Sequence, residues 1–228
     1  LKSNNGLAAI DVDTVALGLY GSYVFGNDLF IDATASYGHS SNDSEVRLLG
    51  PGGALSGATK TGSFDIDTLL VGARLGRIFT FDNISLTPTI GVRYLHFSQD
   101  GWAEAINGAN GYGVANWFAK RNDGVVEIPL QVKLDGTFQA GQATITPELR
   151  LGWTLMAKRP DNELNVGFRG SNLSTTVYGT KPKRSSFQVG AGAKINLGEN
   201  VDIFVNYDLD LASGYSGHMA SGGLGFNF

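Results

Sequence analysis

The chain has 228 residues and a formal net charge of −4 at pH 7, with 42% hydrophobic and 17% charged residues, and this length suits one large β domain or two small ones. It contains no cysteine, which excludes a disulfide framework, a thiolate metal site and a cysteine nucleophile. The negative charge argues against a general nucleic-acid-binding protein, and no apolar run reaches the roughly 18–20 residues of a membrane-spanning helix.

Alternation of apolar and polar residues predicts nine strands, because successive side chains of a strand point to opposite faces. In chain order these are Val15–Phe25, Leu29–Tyr37, Leu69–Leu75, Ile84–Tyr94, Val126–Gly136, Ala143–Leu155, Phe187–Leu197, Val201–Leu211 and a final strand that contains Leu224, Phe226 and Phe228. Each predicted strand therefore has one apolar face that must be buried against something.

The predicted connections alternate between short and long. The short turns are Gly26–Asp28, Phe81–Asn83, Ala140–Gln142 and Gly198–Asn200, and the loops are about Ser40–Gly62, Ser98–Asn122 and Lys158–Lys183, with a shorter link near Gly214–Gly217. Alternation alone fits a soluble sandwich or barrel with an apolar core as well as a membrane barrel with an apolar outside. Short turns at one rim and long loops at the other favour an outer-membrane barrel.

The composition of the two faces favours the same fold. Aromatic residues lie near strand ends on the apolar faces, as in the girdles of membrane barrels; they are Phe25, Tyr37, Tyr94, Trp153, Phe226 and Phe228. The polar faces are rich in glycine and carry charges of both signs, which fits a hydrated lumen crossed by neutralising pairs. The predicted lumen-lining charges are Arg74, Arg93, Glu127, Lys133, Asp135, Glu148, Arg150, Lys194, Asp202, Asp208 and Asp210.

The fold class expected is therefore all-β, a transmembrane antiparallel β-barrel formed as one domain by residues 1–228. Nine strands cannot close such a barrel, because its first and last strands must run in opposite directions. An odd number of strands is expected upstream of Leu1 or within Leu1–Asp11, and we favour a chain that continues at the N-terminus.

The sequence resembles the β-domain of autotransporters, the translocators of type V secretion. The matching segments follow in the family's order: GLYGSY, LTPTIGVRYLHF, ITPELRLGW, FQVGAGAKINL, VDIFVNYDLDL and the closing SGGLGFNF. The resemblance implies a barrel of twelve strands, of which three are missing together with the lumen helix and the secreted passenger. It also implies a pore and anchor that help to export an N-terminal passenger. Some family members cleave themselves between two asparagines, but Asn4-Asn5 precedes a different strand and is not assigned that role.

The C-terminal residues are similar to the signal that the outer-membrane β-barrel assembly machinery recognises. The pattern is a polar residue, a glycine and two hydrophobic residues one position apart, which falls on Ser221, Gly223, Phe226 and Phe228. The alternative is that the two phenylalanines are girdle aromatics alone, and the two roles are compatible.

The expected partners are outer-membrane lipid, the chain's own passenger and the assembly machinery, with no nucleic acid, cofactor or metal, and the barrel is expected to be a monomer. The expected location is the bacterial outer membrane, with long loops extracellular and the C-terminus periplasmic. Catalysis is not expected.

Two alternatives remain at the level of the sequence. An omptin-like protease could use His39, His96 or His218 with Asp43 or Asp100, and Asp208 and Asp210 could be paired acids. An adhesin could use Leu164–Gly179, which has two strand-like halves around Gly170-Ser171-Asn172 and could project as a hairpin.

Overall fold

The computed structural model describes residues 8–48, 58–107, 115–198 and 201–226, together with the backbone of residues 2–4. Nine long strands run through this part of the chain: β1 (Ala8–Val24), β2 (Leu29–Arg47), β3 (Thr59–Arg77), β4 (Ile84–Gln99), β5 (Arg121–Gly136), β6 (Ala143–Lys158), β7 (Ser185–Leu197), β8 (Val201–Ala212) and β9 (Tyr215–Phe226). Shorter strands are Lys2–Asn4, Phe79–Phe81, Trp102–Ala103, Ala105–Asn107, Asn116–Phe118, Phe138–Ala140, Glu163–Phe168 and Ser174–Tyr178, and one 3-10 turn covers Gly26–Asp28.

The nine long strands form one antiparallel meander in which each strand pairs with the next along the chain. Lys2–Asn4 pairs with Ala9–Asp11 of β1, so it lies beyond β1 at one edge of the sheet, and β9 forms the other edge. Within the described residues β1 and β9 do not pair with each other. The predicted all-β antiparallel class and the nine strands are thus confirmed, and the short strand within Leu1–Asp11 lies where an additional strand was considered.

Strand register places the apolar and polar residues on opposite faces of the sheet. Leu149 of β6, for example, lies between Leu134 of β5 and Ala191 of β7, whereas Glu148 next to it faces Asp135. The apolar face is open: Leu17, Leu149 and Val205 are 79%, 44% and 55% exposed.

Few apolar side chains are buried in the described part of the chain. The buried apolar residues are Ala58, Ala115 and Val125, and no large side chain is fully buried. A soluble sandwich or lipocalin-type barrel would bury its valines and leucines between layers. The alternative of an apolar core is therefore contradicted, and the apolar face must meet something outside the described chain.

The short connections share one rim, and they use backbone conformations with positive φ. Asn27 and Asp28 have φ of 63° and 59°, Asp82 has φ of 51°, and Gly141 and Gly198 have φ of 65° and 67°. Asn, Asp and Gly tolerate this left-handed region better than other residues, which is why these turns are tight. The predicted short turns lie where the sequence placed them, although Glu199 and Asn200 are outside the described residues.

The opposite rim differs from the prediction, because much of the predicted Ser40–Gly62 loop is strand. β2 continues to Arg47 and β3 begins at Thr59, and these extensions pair residue by residue from Ser40↔Ile66 to Arg47↔Thr59. Most side chains in this extension are polar on both faces, with Val46, Phe64 and Ile66 as exceptions, so no regular hydrophobic alternation marks the strand. The backbone hydrogen bonds between β2 and β3 continue nonetheless, because they join main-chain N–H and C=O groups and do not depend on the side chains of these residues.

The other two long loops meet in a second, four-stranded sheet, with order Ser174–Tyr178, Glu163–Phe168, Asn116–Phe118 and Trp102–Ala103. Glu163–Phe168 and Ser174–Tyr178 form an antiparallel hairpin whose turn contains Gly170 with φ of 81°. The predicted hairpin within Leu164–Gly179 is confirmed, while binding by it stays a prediction. We call this second sheet the cap sheet.

Across the described ranges, no helix has the length and apolar character needed to cross a membrane.

Candidate functional site: ion pairs on the concave face

The eleven charged residues predicted to share a face do share one. In the strand register, Lys133 is the cross-strand neighbour of Arg150, and Asp135 is that of Glu148. Gly190 of β7 lies between Arg150 and Asp208, which places Asp208 and Asp210 on the same face. This face lines a cleft of about 910 Å³ whose walls include Arg74, Arg93, Glu127 and Asp210. The polar face is therefore the concave face of the sheet.

Ion pairs join neighbouring strands across the concave face. Arg74 Nε lies 2.6 Å from Asp32 Oδ2, and Arg93 Nε donates to Glu127 Oε2 at 2.7 Å. Further along, Lys133 Nζ lies 2.9 Å from Asp135 Oδ1 and Lys194 Nζ lies 3.1 Å from Asp202 Oδ2. Three of these four pairs join adjacent strands and so tie the sheet together, whereas Lys133 and Asp135 lie on the same strand, β5.

Arg150 forms the most extended contact of this face. Its Nη1 pairs with Glu148, and its Nη2 donates to both carboxylate oxygens of Asp208 at 3.0 and 3.1 Å. Asp208 is on β8, two strands from Arg150 on β6, and Gly190 of β7 lies between them. A Cβ atom at Gly190 would come within 2.3 Å of Asp208 Oδ1 and 2.8 Å of Arg150 Nε. The absence of a side chain at Gly190 therefore leaves the space in which the two charged groups meet.

The concave face carries a small excess of negative charge. Each of its five cations has a carboxylate partner, and Asp210 is the one acidic residue among the predicted set for which the described chain provides no cation. Several members are half-exposed, such as Arg74 at 52% and Lys194 at 51% of the side chain. Exposed pairs of this kind contribute about 0–1 kcal/mol each to stability, so their main effect is on the polarity of the cleft.

The cap sheet is fixed to the concave face of β3 at the long-loop rim. Trp102 stacks between Phe64 and Phe118, with ring centroids 5.0 and 4.2 Å away. Below them, Lys60 Nζ donates to Glu104 Oε2 at 2.8 Å, and both side chains are nearly buried at 13% and 11% exposure. Glu104 Oε2 also accepts from the Asn116 amide at 2.8 Å. These contacts hold the cap sheet against the concave side of β3 at the long-loop rim.

Asp123 holds the second loop of the cap sheet, a role that the sequence did not indicate. Its Oδ2 accepts from the amides of Asp161 and Asn162 at 2.9 and 3.4 Å, and Arg121 Nη2 lies 3.3 Å away. Asp123 lies outside the predicted membrane-spanning strand Val126–Gly136, three residues nearer the loop than Val126, which pairs with Tyr94. Burial alone would raise the pKa of Asp123, but hydrogen bonds from the amides and from Arg121 outweigh it, so the pKa is lowered.

The structure does not assemble the protease site considered from the sequence. His39, His96 and His218 all lie on the apolar face, next to Tyr37, Tyr94 and Tyr207 respectively. His39 Nδ1 pairs with Asp67 Oδ1 at 2.9 Å rather than with Asp43.

The carboxylates named for that protease site have other partners. Asp43 accepts a hydrogen bond from Ser63, and Asp100 pairs with Lys120. The suggested acid pair of Asp208 and Asp210 is also not formed as such, because Arg150 holds Asp208. In the described ranges, no group of three or more histidine, aspartate or glutamate side chains is arranged to hold a metal ion.

The end of β9 carries exposed hydrophobic side chains on the apolar face, at one edge of the sheet. Leu224 and Phe226 lie on the apolar face and are 65% and 60% exposed. Gly223 lies on the concave face under Phe204, whose ring carbon Cε1 would be 2.5 Å from a Cβ there. Ser221 pairs with Asn206, and Phe228 lies outside the described residues.

A comparison with known families decides the identity of this fold. The family model described as the autotransporter β-domain matches residues 1–208. The chain belongs to this family. Autotransporter β-domains are translocator and anchor domains of the bacterial outer membrane, so that fold, function and location now apply to this chain.

Curated relatives are much longer than the chain. Outer membrane protein A of Rickettsia rickettsii is 24% identical over all of this chain, which spans 10% of that protein. The extracellular serine protease of Serratia marcescens is 22% identical over 97% of this chain, which spans 20% of that protein. This chain thus corresponds to a tenth to a fifth of the length of these relatives.

Solved structures share the fold. The translocator domain of the autotransporter NalP from Neisseria meningitidis superimposes with a TM-score of 0.69 at 17% identity, covering 100% of this chain and 71% of that one. The β-domain of the Bordetella autotransporter BrkA gives 0.60 at 17% identity, covering 98% of this chain and 76% of that one. Both agree with the autotransporter barrel expected from the sequence.

Proposed function

We propose that the concave face is the wall of a hydrated pore through which the protein's own N-terminal passenger reaches the cell surface. The observation that supports this is the pairing of charges on the concave face, opposite an open apolar face. Paired charges keep the wall polar, while offering few free charges that would hold a moving chain in place. We further propose that residues 1–228 form most of a twelve-stranded barrel, a width suited to one helix or one or two extended chains.

The proposed orientation places the long loops and the cap sheet outside the cell and the C-terminus in the periplasm. Its support is the contrast between the tight turns at one rim and the long connections at the other, which is the usual arrangement of outer-membrane barrels. The proposed domain performs no catalysis. Its histidines lie on the apolar face, and Asp43 and Asp100 have Ser63 and Lys120 as partners instead of a histidine. It acts as a monomer whose partners are lipid and its own passenger.

We also propose that Ser221, Gly223, Phe226 and Phe228 form the signal for the β-barrel assembly machinery. Support comes from the exposed hydrophobic side chains at the end of β9 and from the edge position of that strand. An edge strand has free backbone donors and acceptors that another strand can pair with.

Crosslinking during export tests the pore. A photo-crosslinking amino acid at Gln131 or Gln188, which line the cleft, should crosslink to the upstream segment of the full-length protein in living cells. The matched controls are Val132 and Val189, the adjacent residues on the apolar face, which should not. Crosslinks from the valines, or none from the glutamines in an assembled barrel, would contradict the proposed pore.

A further inference from the structure

The apolar face contains a depression that extends across β1 to β4. It has a volume of about 530 Å³ and an almost wholly apolar lining. Its outward-facing residues are Leu19, Gly21, Ala33, Ala35, Val71, Ala73, Val92 and Tyr94. Ala33, Ala35 and Ala73 lie on the central strands β2 and β3. The larger Leu19, Val92 and Tyr94 lie on the flanking strands β1 and β4, so the outer wall is recessed here. We call it the alanine groove.

Tyr94 closes the alanine groove towards the long-loop rim, and polar donors surround it there. The Tyr94 ring stacks on His96, with centroids 6.2 Å apart and planes 19° apart. The Tyr94 hydroxyl and Lys158 Nζ both lie against Gly124, at 3.1 and 3.5 Å from the position of a Cβ atom on that glycine. Lys158 faces outward, because it pairs with Val126, the neighbour of Tyr94.

Lys158 differs from the cations of the concave face. Those cations all have carboxylate partners, whereas no carboxylate of the described residues lies within ion-pair distance of Lys158. Asp67, a carboxylate on the same outward face, is already held by Tyr37 at 2.5 Å and by His39 at 2.9 Å. An unpaired ammonium beside a tyrosine hydroxyl and an imidazole is a set of donors suited to an anionic oxygen.

We propose that the alanine groove and Lys158 form one lipid site, in which an acyl chain fills the groove and a lipid phosphate binds Lys158, Tyr94 and His96. The continuity of the two parts at Tyr94 favours a single molecule with both an acyl chain and a phosphate. The inference rests on the proposed orientation, which puts this rim in the outer leaflet. The ligand is therefore a phosphorylated glycolipid of that leaflet, of the lipid A type.

Lipid binding to the purified full-length protein in detergent tests the site, with native mass spectrometry as the readout and diphosphoryl lipid A as the probe. Lys158→Gln should weaken binding roughly five- to tenfold, because a lysine near a lipid surface contributes about 1 kcal/mol or somewhat more. Its control is Arg77→Gln, which removes the same charge at the opposite rim, where Arg77 lies over the Phe79 ring, and should leave binding unchanged.

A groove variant tests the acyl chain separately. Ala35→Leu should reduce binding by filling the groove, while Ala191→Leu, on the same face but outside the groove, should not. Inorganic phosphate should bind more weakly than lipid A because it lacks an acyl chain. Phosphatidylethanolamine should also bind more weakly, because its own ammonium group neutralises its single phosphate.

Equal binding by Lys158→Gln and Arg77→Gln, or by Ala35→Leu and Ala191→Leu, would overturn the lipid site. So would binding of phosphatidylethanolamine or of inorganic phosphate as tight as that of lipid A. The proposed pore has its own crosslinking test, so either proposal can fail while the other holds.

Discussion

At the scale of single residues, the sequence predicts which face a charge occupies but not its partner. Arg150 and Asp208 were both assigned to the polar face, yet their contact across Gly190 depends on the register of three strands. His39 shows the same limit, since its partner is Asp67 on the next strand rather than Asp43 nearby in sequence. Register is set by the whole sheet, so local patterns do not reveal it.

Asp123 gives a prediction at this scale, because its carboxylate is stabilised in the ionised form. Its folded pKa is lowered, so its contribution to the stability of the cap loop should be present above the unfolded pKa of about 3.9 and lost as pH falls through the lowered value. Hydrogen exchange of the Asp161 and Asn162 amides, corrected for intrinsic rates, should therefore stay slow at neutral pH and accelerate only in strong acid.

The Asp123→Asn variant should show faster exchange of these amides already at neutral pH, since a hydrogen bond to a neutral acceptor contributes about 1 kcal/mol less than one to a charged acceptor. Asp100→Asn is the control, because Asp100 is exposed and paired only with Lys120 at 3.2 Å. If both variants exchange like the wild type, Asp123 does not hold this loop.

At the scale of strands, alternation identifies a strand only where its two faces meet different surroundings. All nine long strands were found in this way, but the extensions of β2 and β3 beyond Ser40 were missed because both of their faces are mostly polar there. The cap sheet was predicted only as a hairpin. Its attachment depends on contacts such as Lys60 with Glu104, which are 44 residues apart and leave no local signal.

The end of β9 carries the prediction at this scale. Removing Phe228, or replacing Phe226 with serine, should reduce the amount of heat-modifiable barrel in the outer membrane, because the proposed assembly signal loses a hydrophobic residue. Tyr215→Ser is the matched control, since Tyr215 is an aromatic residue of similar exposure, 64% against 60%, at the other end of the same strand. A normal barrel yield from the Phe228 deletion would refute the signal.

At the scale of the whole molecule, the arrangement of the two faces determines the class of protein. A chain that buries so few apolar side chains would expose a large hydrophobic surface in water, and such surfaces mark contact with another phase or partner. The sequence predicted an apolar outer face because three features favoured the same fold: the mixed charges of the polar faces, the alternation of short turns and long loops, and the aromatic residues near strand ends. The family match then identified that phase as the outer membrane.

The chain has no native cysteine, so single cysteines placed along β8 measure directly which face meets lipid. In intact outer membranes, a water-soluble maleimide should label cysteines at Phe204, Asn206 and Asp210 on the concave face and leave those at Val205 and Tyr207 unlabelled until detergent is added. Labelling of Val205 and Tyr207 with protection of Phe204, Asn206 and Asp210 would contradict the inside–outside assignment on which this account depends.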